Sequence, residues 1–352
     1  MEAPERPSFL SRMLAAAEHG RLPDVAIRFG IRRLLKARLR EIRVLDTDSW
    51  RSRFRLATLD NPIALVPEKA NEQHYEVPAG FFQIVLGRHL KYSSCHWTHD
   101  TLTLDDAEAV ALRETCDHAQ LENGQKVLEL GCGWGSLSLW MAEHFPESHF
   151  TAVSNSASQR DFILSVADER GLSNLEVQTA NVAEFAIDQQ FDRVVSVEMF
   201  EHMRNHTELM RRVHGWLSPG GKLFVHIFCH RSVPYLFEEE GESNWMGRHF
   251  FSGGMMPSQD YLERCRGDLQ AVNQWVWNGR HYAKTCRAWL QRLDASRNRA
   301  IESFRQTCPD QDAVVAMNRW RLFFMACEEL FAWDRGREWF VQHSLFERGA
   351  AS

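Results

Sequence analysis

A short apolar run followed by three alternate glycines constrains the fold of this chain more than any other feature. Residues 126–130 (KVLEL) have the length and the Val/Leu content of a buried strand. Gly131, Gly133 and Gly135 follow at once, and residues 136–145 have a helical pattern. A glycine-rich turn between a strand and a helix lets a ligand approach the backbone, where the first N–H groups of the helix face it. The segment therefore predicts a ligand-binding βα unit.

Predicted helices and strands continue to alternate after this unit. They are strands at 150–153, 175–179, 191–197 and 222–228 and helices at 157–170 and 203–217. Such alternation requires crossover connections and is typical of an α/β fold with a parallel, doubly wound sheet. We expect a helical extension over residues 1–75 and one domain over 76–352. Within that domain, the sheet core lies at about 120–230, and a cap and the last strands lie at 231–348.

Helical segments flank the predicted sheet. Helices are predicted at 8–45, 79–90, 104–119, 281–304 and 311–331, a last strand at 338–346 and a connector at 46–75. Residues 31–43 carry six basic residues and one acidic residue. Two interpretations of this segment stay open. It is a helix that lies on a membrane surface, or a helix that packs on its own domain with a solvated basic face.

Composition excludes several classes of protein. The 352 residues include 41 Lys and Arg against 47 Asp and Glu, and a net charge of −6 argues against a general nucleic-acid binder. No apolar run approaches the roughly 20 residues that span a bilayer, and the N-terminus lacks the pattern of a secretory signal. The eight cysteines include no C-x-x-C pair and have no zinc-ligand spacing. We expect a reduced, soluble, cytoplasmic protein without a bound metal.

The spacing of the glycines and the end of the second strand indicate one cofactor. A dinucleotide fingerprint has the pattern G-x-G-x-x-G, whereas here Glu129 precedes a G-x-G-x-G pattern. That pattern resembles the S-adenosylmethionine loop of class I methyltransferases. The second strand ends at Ser154 and Asn155, and Gln159 follows one helical turn later. These side chains offer donors and acceptors for the two ribose hydroxyls, in place of the usual acid.

A cluster of titratable residues follows the strand predicted at 191–197. Glu198 and Glu201 are three residues apart and His202 is four residues from Glu198, so all three share a face on a helical turn. Ligands of open α/β sheets bind at the carboxyl ends of the strands, where this cluster lies. Carboxylates at a helix N-terminus also offset the helix dipole. Two carboxylates and an imidazole at this place nevertheless favour acid–base chemistry.

Several segments together resemble one family. They are 90–95 (LKYSSC), 154–159 (SNSASQ), 197–203 (VEMFEHM), 223–230 (LFVHIFCH), 279–285 (GRHYAKT) and 336–339 (GREW). Over about residues 75–348, the chain is similar to the cyclopropane fatty acid synthase superfamily of S-adenosylmethionine-dependent methyltransferases, and within it to the coclaurine-type N-methyltransferases of plants. The resemblance implies a class I, Rossmann-like fold with a helical cap, and S-adenosylmethionine as the methyl donor.

The resemblance also implies roles in the cofactor site. Tyr92 and Ser93 would contact the methionine part of the cofactor, and Gly131 and Gly133 would let it lie on the loop. The ribose would be held by Ser154, Asn155 and Gln159, and the adenine would be flanked by Asn181 and Val182. The sulfonium would lie beside the backbone of Val197.

For the acceptor site, the resemblance points to anion-binding positions. Lipid-modifying members hold a bicarbonate ion on a cysteine, a glutamate, a histidine and a tyrosine, and the last three match Glu201, His226 and Tyr282. Ser94 stands in place of the cysteine and Phe228 in place of the usual isoleucine. These two departures weaken the case for cyclopropanation.

We expect N-methylation of a hydrophobic small-molecule amine, because the N-methyltransferases have glutamate at position 198, where many lipid enzymes have glycine. In this hypothesis Glu201 with His202 accepts the proton of the amine, and Glu198 holds the ammonium or orients the pair. Trp320 and Phe323 match aromatic positions of the acceptor pocket more loosely, and helix packing explains them equally well.

Two alternatives to this function stay open. In the first, the cofactor is the same and the acceptor is an unsaturated acyl chain of a phospholipid, methylated or cyclopropanated at its double bond. The basic segment 31–43 would then make a peripheral membrane contact. In the second, the chain is a non-enzymatic or regulatory protein that keeps the cofactor fold. No nucleic-acid partner is expected, and the sequence leaves a homodimer open.

Overall fold

Nine strands are present in the part of the chain that the computed structural model describes, residues 8–65, 77 and 79–349. In chain order they are β1 (Lys126–Leu130), β2 (His149–Ser154), β3 (Leu175–Thr179), β4 (Phe191–Val197), β5 (Leu217–His230), β6 (Tyr235–Leu236), β7 (Met255–Met256), β8 (Gln270–Trp277) and β9 (Trp339–Glu347). Every predicted strand is confirmed. The strand predicted at 222–228 is longer than expected and begins at Leu217.

Seven of these strands form the central sheet, in the order β3-β2-β1-β4-β5-β9-β8. The strands from β3 to β5 are parallel, whereas β9 pairs antiparallel with β5, and β8 pairs antiparallel with β9. The strand order reverses between β1 and β4. The carboxyl ends of these two strands therefore flank the crevice in which doubly wound sheets bind their ligands. The predicted doubly wound sheet is confirmed.

Strand β8 is the strand of the central sheet that the sequence does not predict, and the short strands β6 and β7 are not predicted either. Strand β8 lies at the edge of the sheet, and six of its eight residues are exposed. Buried parallel strands are recognised by continuous apolar runs. Because β8 buries so little, it has no such run. Its pairing with β9 is determined by the tertiary structure rather than by a local pattern.

Thirteen α-helices are found among the described residues. They are α1 (Phe9–Glu18), α2 (Asp24–Arg43), α3 (Thr47–Leu59), α4 (Ala79–Val85), α5 (Leu104–His118), α6 (Ser136–His144), α7 (Ala157–Glu169), α8 (His206–Trp216), α9 (Trp245–His249), α10 (Tyr261–Cys265), α11 (Gly279–Ala295), α12 (Arg297–Thr307) and α13 (Ala313–Ala332).

One predicted connector and two predicted helices need correction. The connector predicted at 46–75 is wrong in its first part, because α3 lies there, and part of the rest falls outside the described residues. The helix predicted at 8–45 is two helices. Gly20 adopts a left-handed φ of +68° between them, and Pro23 is the N-cap of the second. The helix predicted at 281–304 is also two helices, which meet at Ser296.

The N-terminal helix α2 packs on α13 of its own chain. Ile27 and Leu39 of α2 are buried in the same hydrophobic core as α13. Arg28 forms ion pairs of 2.7 and 2.9 Å with Glu328 and Glu329. The interpretation of residues 31–43 as a helix packed on its own domain is confirmed. Arg33, Lys36 and Arg40 are among the exposed residues of α2, and we call these three the basic face of α2.

None of the helices in the described part of the chain combines the length and the apolarity that crossing a bilayer requires.

Candidate active site

The turn after β1 depends on three glycines with positive φ angles. A Cβ atom on Gly131 would lie 2.7 Å from Met199 Cγ, and one on Gly135 would lie 2.6 Å from Ile163 Cγ1. These two glycines are therefore needed for packing. A Cβ atom on Gly133 would meet no protein atom within 4 Å. The middle glycine thus leaves open space beside the loop.

Two adjoining cavities, a larger and a smaller one, lie beside this turn at the carboxyl ends of β1, β2 and β4. Gly131, Gly133, Gln159 and His202 line both of them. The other sequence-predicted residues that line the larger cavity are Tyr92, Ser93, Val197, Glu198, Phe228, Tyr282 and Phe323.

The smaller cavity brings together the residues predicted for the ribose and the adenine. These are Ser154, Asn155, Asn181 and Val182, together with Gln159. Three of the predicted site residues, Glu201, His226 and Trp320, line neither cavity. Most of the residues that the sequence predicts for the site therefore line these two cavities, and these three do not.

Glu198 follows β4 directly and projects into the larger cavity. Its backbone is left-handed, with a φ of +48°, and its N–H donates to the carbonyl of His226 over 2.9 Å. Such a conformation costs a residue with a side chain about 1 kcal/mol or more and is typical of functional sites. Only 9% of this side chain is exposed.

The Glu198 carboxylate is surrounded by donors from three other parts of the chain. Oε1 lies 3.0 Å from the Ser94 N–H nitrogen and 3.1 Å from His226 Nε2, and Oε2 accepts from the Tyr282 hydroxyl over 2.6 Å. Burial raises the pKa of this carboxyl group, and the hydrogen bond from Tyr282 partly offsets that effect. The result is a carboxylate that is held by hydrogen bonds and has an increased affinity for protons.

Glu201 lies in a different environment, although it is only three residues away. Its side chain is fully buried. Oε1 accepts from the Phe228 N–H over 2.7 Å, and Oε2 has no hydrogen-bond partner among the residues that the structure describes. Burial, and then the nearby charge of Glu198, raise the pKa of Glu201 well above its usual range. This carboxyl group therefore holds its proton more strongly than a solvent-exposed glutamate does. The sequence predicts it as a proton acceptor, and the structure places it outside the lining of both cavities.

His202 ends the short 3-10 turn Phe200–His202, and its ring faces the cavities. The ring stacks on Phe251, with 5.5 Å between the centroids and an interplanar angle of 13°. Phe251 belongs to an aromatic wall of the larger cavity that also includes Phe228, Tyr282 and Phe323. The titratable groups therefore face a largely apolar space.

The structure gives His226 and Trp320 positions behind the cavity wall. His226 is fully buried in β5 and reaches the cavity only through Glu198. Trp320 of α13 lies in an aromatic cluster, where its ring centroid is 4.9 Å from that of Phe81 and 5.1 Å from that of Phe250. Helix packing therefore accounts for Trp320, which was one of the two explanations that the sequence left open.

Comparison with known proteins identifies the family. Residues 66–337 match the family model of mycolic acid cyclopropane synthetase. The chain belongs to this family. As a member of the cyclopropane synthetase family it is an S-adenosylmethionine-dependent methyltransferase, and the predicted family, fold class, enzyme class and cofactor are confirmed.

Within the cyclopropane synthetase family, the chain is similar to methyltransferases of small molecules and, less so, to those of lipids. The (S)-coclaurine N-methyltransferase of Thalictrum flavum subsp. glaucum is 37% identical over 290 residues, which are 81% of this chain and 80% of the relative. The cyclopropane-fatty-acyl-phospholipid synthase of Escherichia coli K12 is 29% identical over 64% of this chain and 56% of the relative.

A solved structure resembles the whole chain. Coclaurine N-methyltransferase bound to N-methylheliamine and SAH superposes with a TM-score of 0.92 at 32% identity, and the match covers 96% of this chain and 99% of that chain.

The cavity walls contain buried donors that fit the methyl donor of the cyclopropane synthetase family. Gln159 Nε2, Trp134 Nε1 and Ser136 Oγ are buried without a hydrogen-bond partner in the described part of the chain, and all three residues line the larger cavity. Ser154 Oγ donates to Gln159 Oε1 over 2.7 Å, which leaves the Nε2 group of that amide for a ligand. Buried donors are rarely left unpaired. The ribose hydroxyls and the carboxylate of S-adenosylmethionine would supply the missing acceptors.

Sequence reasoning missed several residues of this site, among them Lys91 and Phe251 as well as Trp134 and Ser136. Lys91 is buried, lines the larger cavity and donates from Nζ to Ser93 Oγ over 2.5 Å and to the Ser94 carbonyl over 2.8 Å. Its place directly before Tyr92, inside a segment that carries the family resemblance, was the available signal. Phe251 had no such signal, because the cap residues 231–266 have no pattern that predicts contact with the cavity.

Proposed function

We propose that this enzyme N-methylates a hydrophobic small-molecule amine. The observation that carries the proposal is the Glu198 carboxylate, which faces a cavity that is also lined by the aromatic rings of Phe228, Phe251, Tyr282 and Phe323. A hydrophobic ammonium ion fits such a site, because the carboxylate pairs with its charge and the aromatic rings cover its apolar part. The similarity to coclaurine N-methyltransferase supports the same conclusion.

The partners of Glu198 also argue against a lipid acceptor. The resemblance to lipid-modifying members places bicarbonate among the residue after Tyr92-Ser93, a glutamate, His226 and Tyr282. In this chain the Ser94 N–H, His226 and Tyr282 all bind Glu198 instead. The carboxylate of the protein thus uses three of the contacts expected for a free anion. An enzyme that deprotonates an alkylated alkene through bicarbonate would need these contacts for that ion.

Binding of the methyl donor is proposed to use both cavities. Bound S-adenosylmethionine supplies a methyl group on a positively charged sulfur, which is a strong electrophile. Gly133 leaves room for it beside the β1 turn. The proposed contacts are Tyr92 and Ser93 for the methionine part, Ser154, Asn155 and Gln159 for the ribose, Asn181 and Val182 for the adenine, and the backbone of Val197 near the sulfur.

The residues of the acceptor site then have to remove one proton. An aliphatic amine is mostly protonated at neutral pH, and the ammonium ion has no lone pair with which to attack. Glu198 holds the ammonium by a charge-assisted hydrogen bond and accepts its proton at the carboxylate, for which its raised pKa is suitable. His202, on the same cavity wall, is the second acceptor. Glu201 positions this wall through its hydrogen bond to the Phe228 N–H.

Methyl transfer from labelled S-adenosylmethionine to two sets of acceptors tests the proposal. One set is a panel of hydrophobic amines, and the other is a phospholipid extract with unsaturated chains, each assayed with and without bicarbonate. We expect label in amines only and no dependence on bicarbonate. Glu198→Gln serves as the control for site-specific transfer. Label in the lipid fraction that requires bicarbonate would refute the amine function.

One feature favours the lipid acceptor as a second candidate. The basic face of α2, with Arg33, Lys36 and Arg40, is exposed, and no ion pair is found for these three residues in the described part of the chain. A face of this kind attracts anionic membranes. Flotation with anionic vesicles distinguishes the candidates, since the amine function requires no such binding.

A further inference from the structure

Three histidines form a hydrogen-bonded chain that leads away from Glu198. His226 Nε2 lies 3.1 Å from Glu198 Oε1, and His226 Nδ1 lies 2.9 Å from His343 Nε2. His343 Nδ1 lies 2.8 Å from His118 Nδ1. His226 of β5 and His343 of β9 are directly opposed in the antiparallel register, so the sheet itself fixes the central link. The proposed reaction uses neither His343 nor His118.

Packing holds these rings in place. His226 and His343 are fully buried, and His118 at the end of α5 is half-buried. The ring of Trp275 stacks on His118, with 4.0 Å between centroids and an interplanar angle of 10°. Trp277 covers His343 at 4.2 Å and His226 at 5.5 Å between centroids. The hydrogen-bonded chain of histidines therefore connects Glu198 with the half-buried His118, and the packing around the rings restricts their rotation.

The chemistry of the groups determines the direction of each hydrogen bond. A carboxylate only accepts, and a neutral imidazole has one donor and one acceptor nitrogen. Burial lowers the pKa of His226 and of His343, so both rings are neutral. If Glu198 is ionised, His226 donates from Nε2 and accepts at Nδ1. His343 then donates from Nε2 and accepts at Nδ1, and His118 donates from Nδ1.

We propose that His343, supported by His118, is a positioning residue that holds His226 in the tautomer whose Nε2 donates to Glu198. This tautomer favours the ionised carboxylate. Without the donor from His343, the proton of His226 is free to move to Nδ1, and the Nε2 lone pair then faces Glu198 Oε1. That arrangement disfavours a negative charge on Glu198 and raises its pKa. The consequence for ammonium binding rests on the proposed function, whereas the tautomer and the Glu198 pKa do not.

Other groups also act on this chain and must stay constant between variants. Those that face Glu198 are Lys91 from the segment before β1, Tyr282 from α11 and Glu201 from the turn after β4. Those that face the outer histidines are Lys91, His96, Glu114 and Asp117. None of them is changed in the variants below. Differences between the variants therefore report the histidine chain.

Nitrogen-15 NMR of histidine-labelled protein tests the proposal without any acceptor. The signals of His226 are assigned from their loss in His226→Gln. Their chemical shifts show which ring nitrogen carries the proton. The pH dependence of the Nε2 shift reports the ionisation of Glu198. We expect a proton on Nε2 in the wild type. In His343→Phe we expect it to move to Nδ1 and the midpoint to rise by about one pH unit, the scale of one charge-assisted hydrogen bond.

Three further variants make the test specific. His343→Gln keeps an N–H donor near the Nε2 position and should preserve the wild-type tautomer and midpoint. His118→Phe removes only the outer link and should shift the midpoint in the same direction by less. Trp275→Phe keeps the histidine chain and should behave as the wild type. If His343→Phe does not fold, the His118→Phe shift decides, and its absence overturns the proposal.

The pH dependence of kcat/KM with an amine acceptor tests whether the histidine chain affects methyl transfer through Glu198. The acidic limb should move up by about one unit in His343→Phe and return in His343→Gln. An unchanged tautomer in His343→Phe would overturn the proposal, and so would a changed tautomer with an unchanged Glu198 midpoint. If the wild type methylates no amine, the proposed function fails, and the NMR titration still decides whether His343 acts on Glu198.

Discussion

Replacing Glu198 by glutamine should cost far more activity than the same replacement at Glu201, three residues away. Glutamine at 198 removes the charge that holds an ammonium ion and the group that accepts its proton. Loss of a general base typically costs about 10²–10⁴-fold in rate. We expect kcat/KM for methyl transfer to the best amine acceptor to decrease in Glu198→Gln by a factor within that range.

The structure indicates that this variant keeps its fold. A glutamine oxygen at the Oε1 position can still accept from the Ser94 N–H and from His226. The Tyr282 hydroxyl, which donates to Oε2 in the wild type, can rotate to accept from the new amide group. We therefore expect little change in melting temperature, and the loss of activity should belong to the chemistry.

Glu201→Gln is the matched control and should be close to wild type in activity. Burial and the charge of Glu198 raise the pKa of the wild-type carboxyl well above the usual range, and the variant puts a neutral amide of the same shape in its place. A glutamine oxygen still accepts from the Phe228 N–H. This expectation reverses the role that the sequence predicts for Glu201.

Initial rates of transfer from labelled S-adenosylmethionine, measured from neutral to alkaline pH, provide the assay. Glu198→Gln should recover part of its loss at alkaline pH, because more of the amine is then unprotonated and the need for a base decreases. An active Glu198→Gln variant together with an inactive, folded Glu201→Gln variant would refute this assignment of the two carboxyl groups.

Three further outcomes are expected. Gly133→Ala should weaken binding of S-adenosylmethionine by roughly 1–3 kcal/mol in calorimetric titration, since its Cβ enters the cofactor space. Gly124→Ala, with the same kind of positive φ and open surroundings, should leave affinity unchanged. The wild type should show no strong flotation with anionic vesicles. Each basic residue near such a surface contributes about 1 kcal/mol of binding free energy. Strong binding that is lost when the three residues of the basic face of α2 are changed to glutamine would therefore favour the lipid acceptor. Burial raises the pKa of Glu129 from 4.5 to about 7 in the folded state. Between these two pH values the folded protein keeps a proton that the unfolded chain releases. The contribution of this group to the free energy of unfolding therefore falls as the pH rises and is lost above pH 7. Urea unfolding should therefore show Glu129→Gln gaining stability relative to wild type between pH 4.5 and pH 7; a constant difference would contradict this.

The sequence by itself determined most of the fold and predicted the cofactor, S-adenosylmethionine. Strands such as β1 and β4 are short apolar runs, and the β1 turn needs glycine at positions where a side chain would strike Met199 or Ile163. Both signals are local, because hydrophobic period and φ angle are properties of neighbouring residues. Strand β8 carried no such signal, since an exposed edge strand is stabilised mainly by its pairing with β9.

Only the tertiary structure shows which of the two carboxyl groups lines the larger cavity. The spacing of Glu198 and Glu201 predicts one shared helical face, but the left-handed backbone at Glu198 and the 3-10 turn after it separate the two side chains. Glu198 then meets donors from positions 94, 226 and 282, which are remote in sequence. Glu201 accepts from the Phe228 N–H and is fully buried. The charge of a carboxyl group depends on its burial and on donors contributed by other elements, and neither can be read from the spacing of residues along the chain.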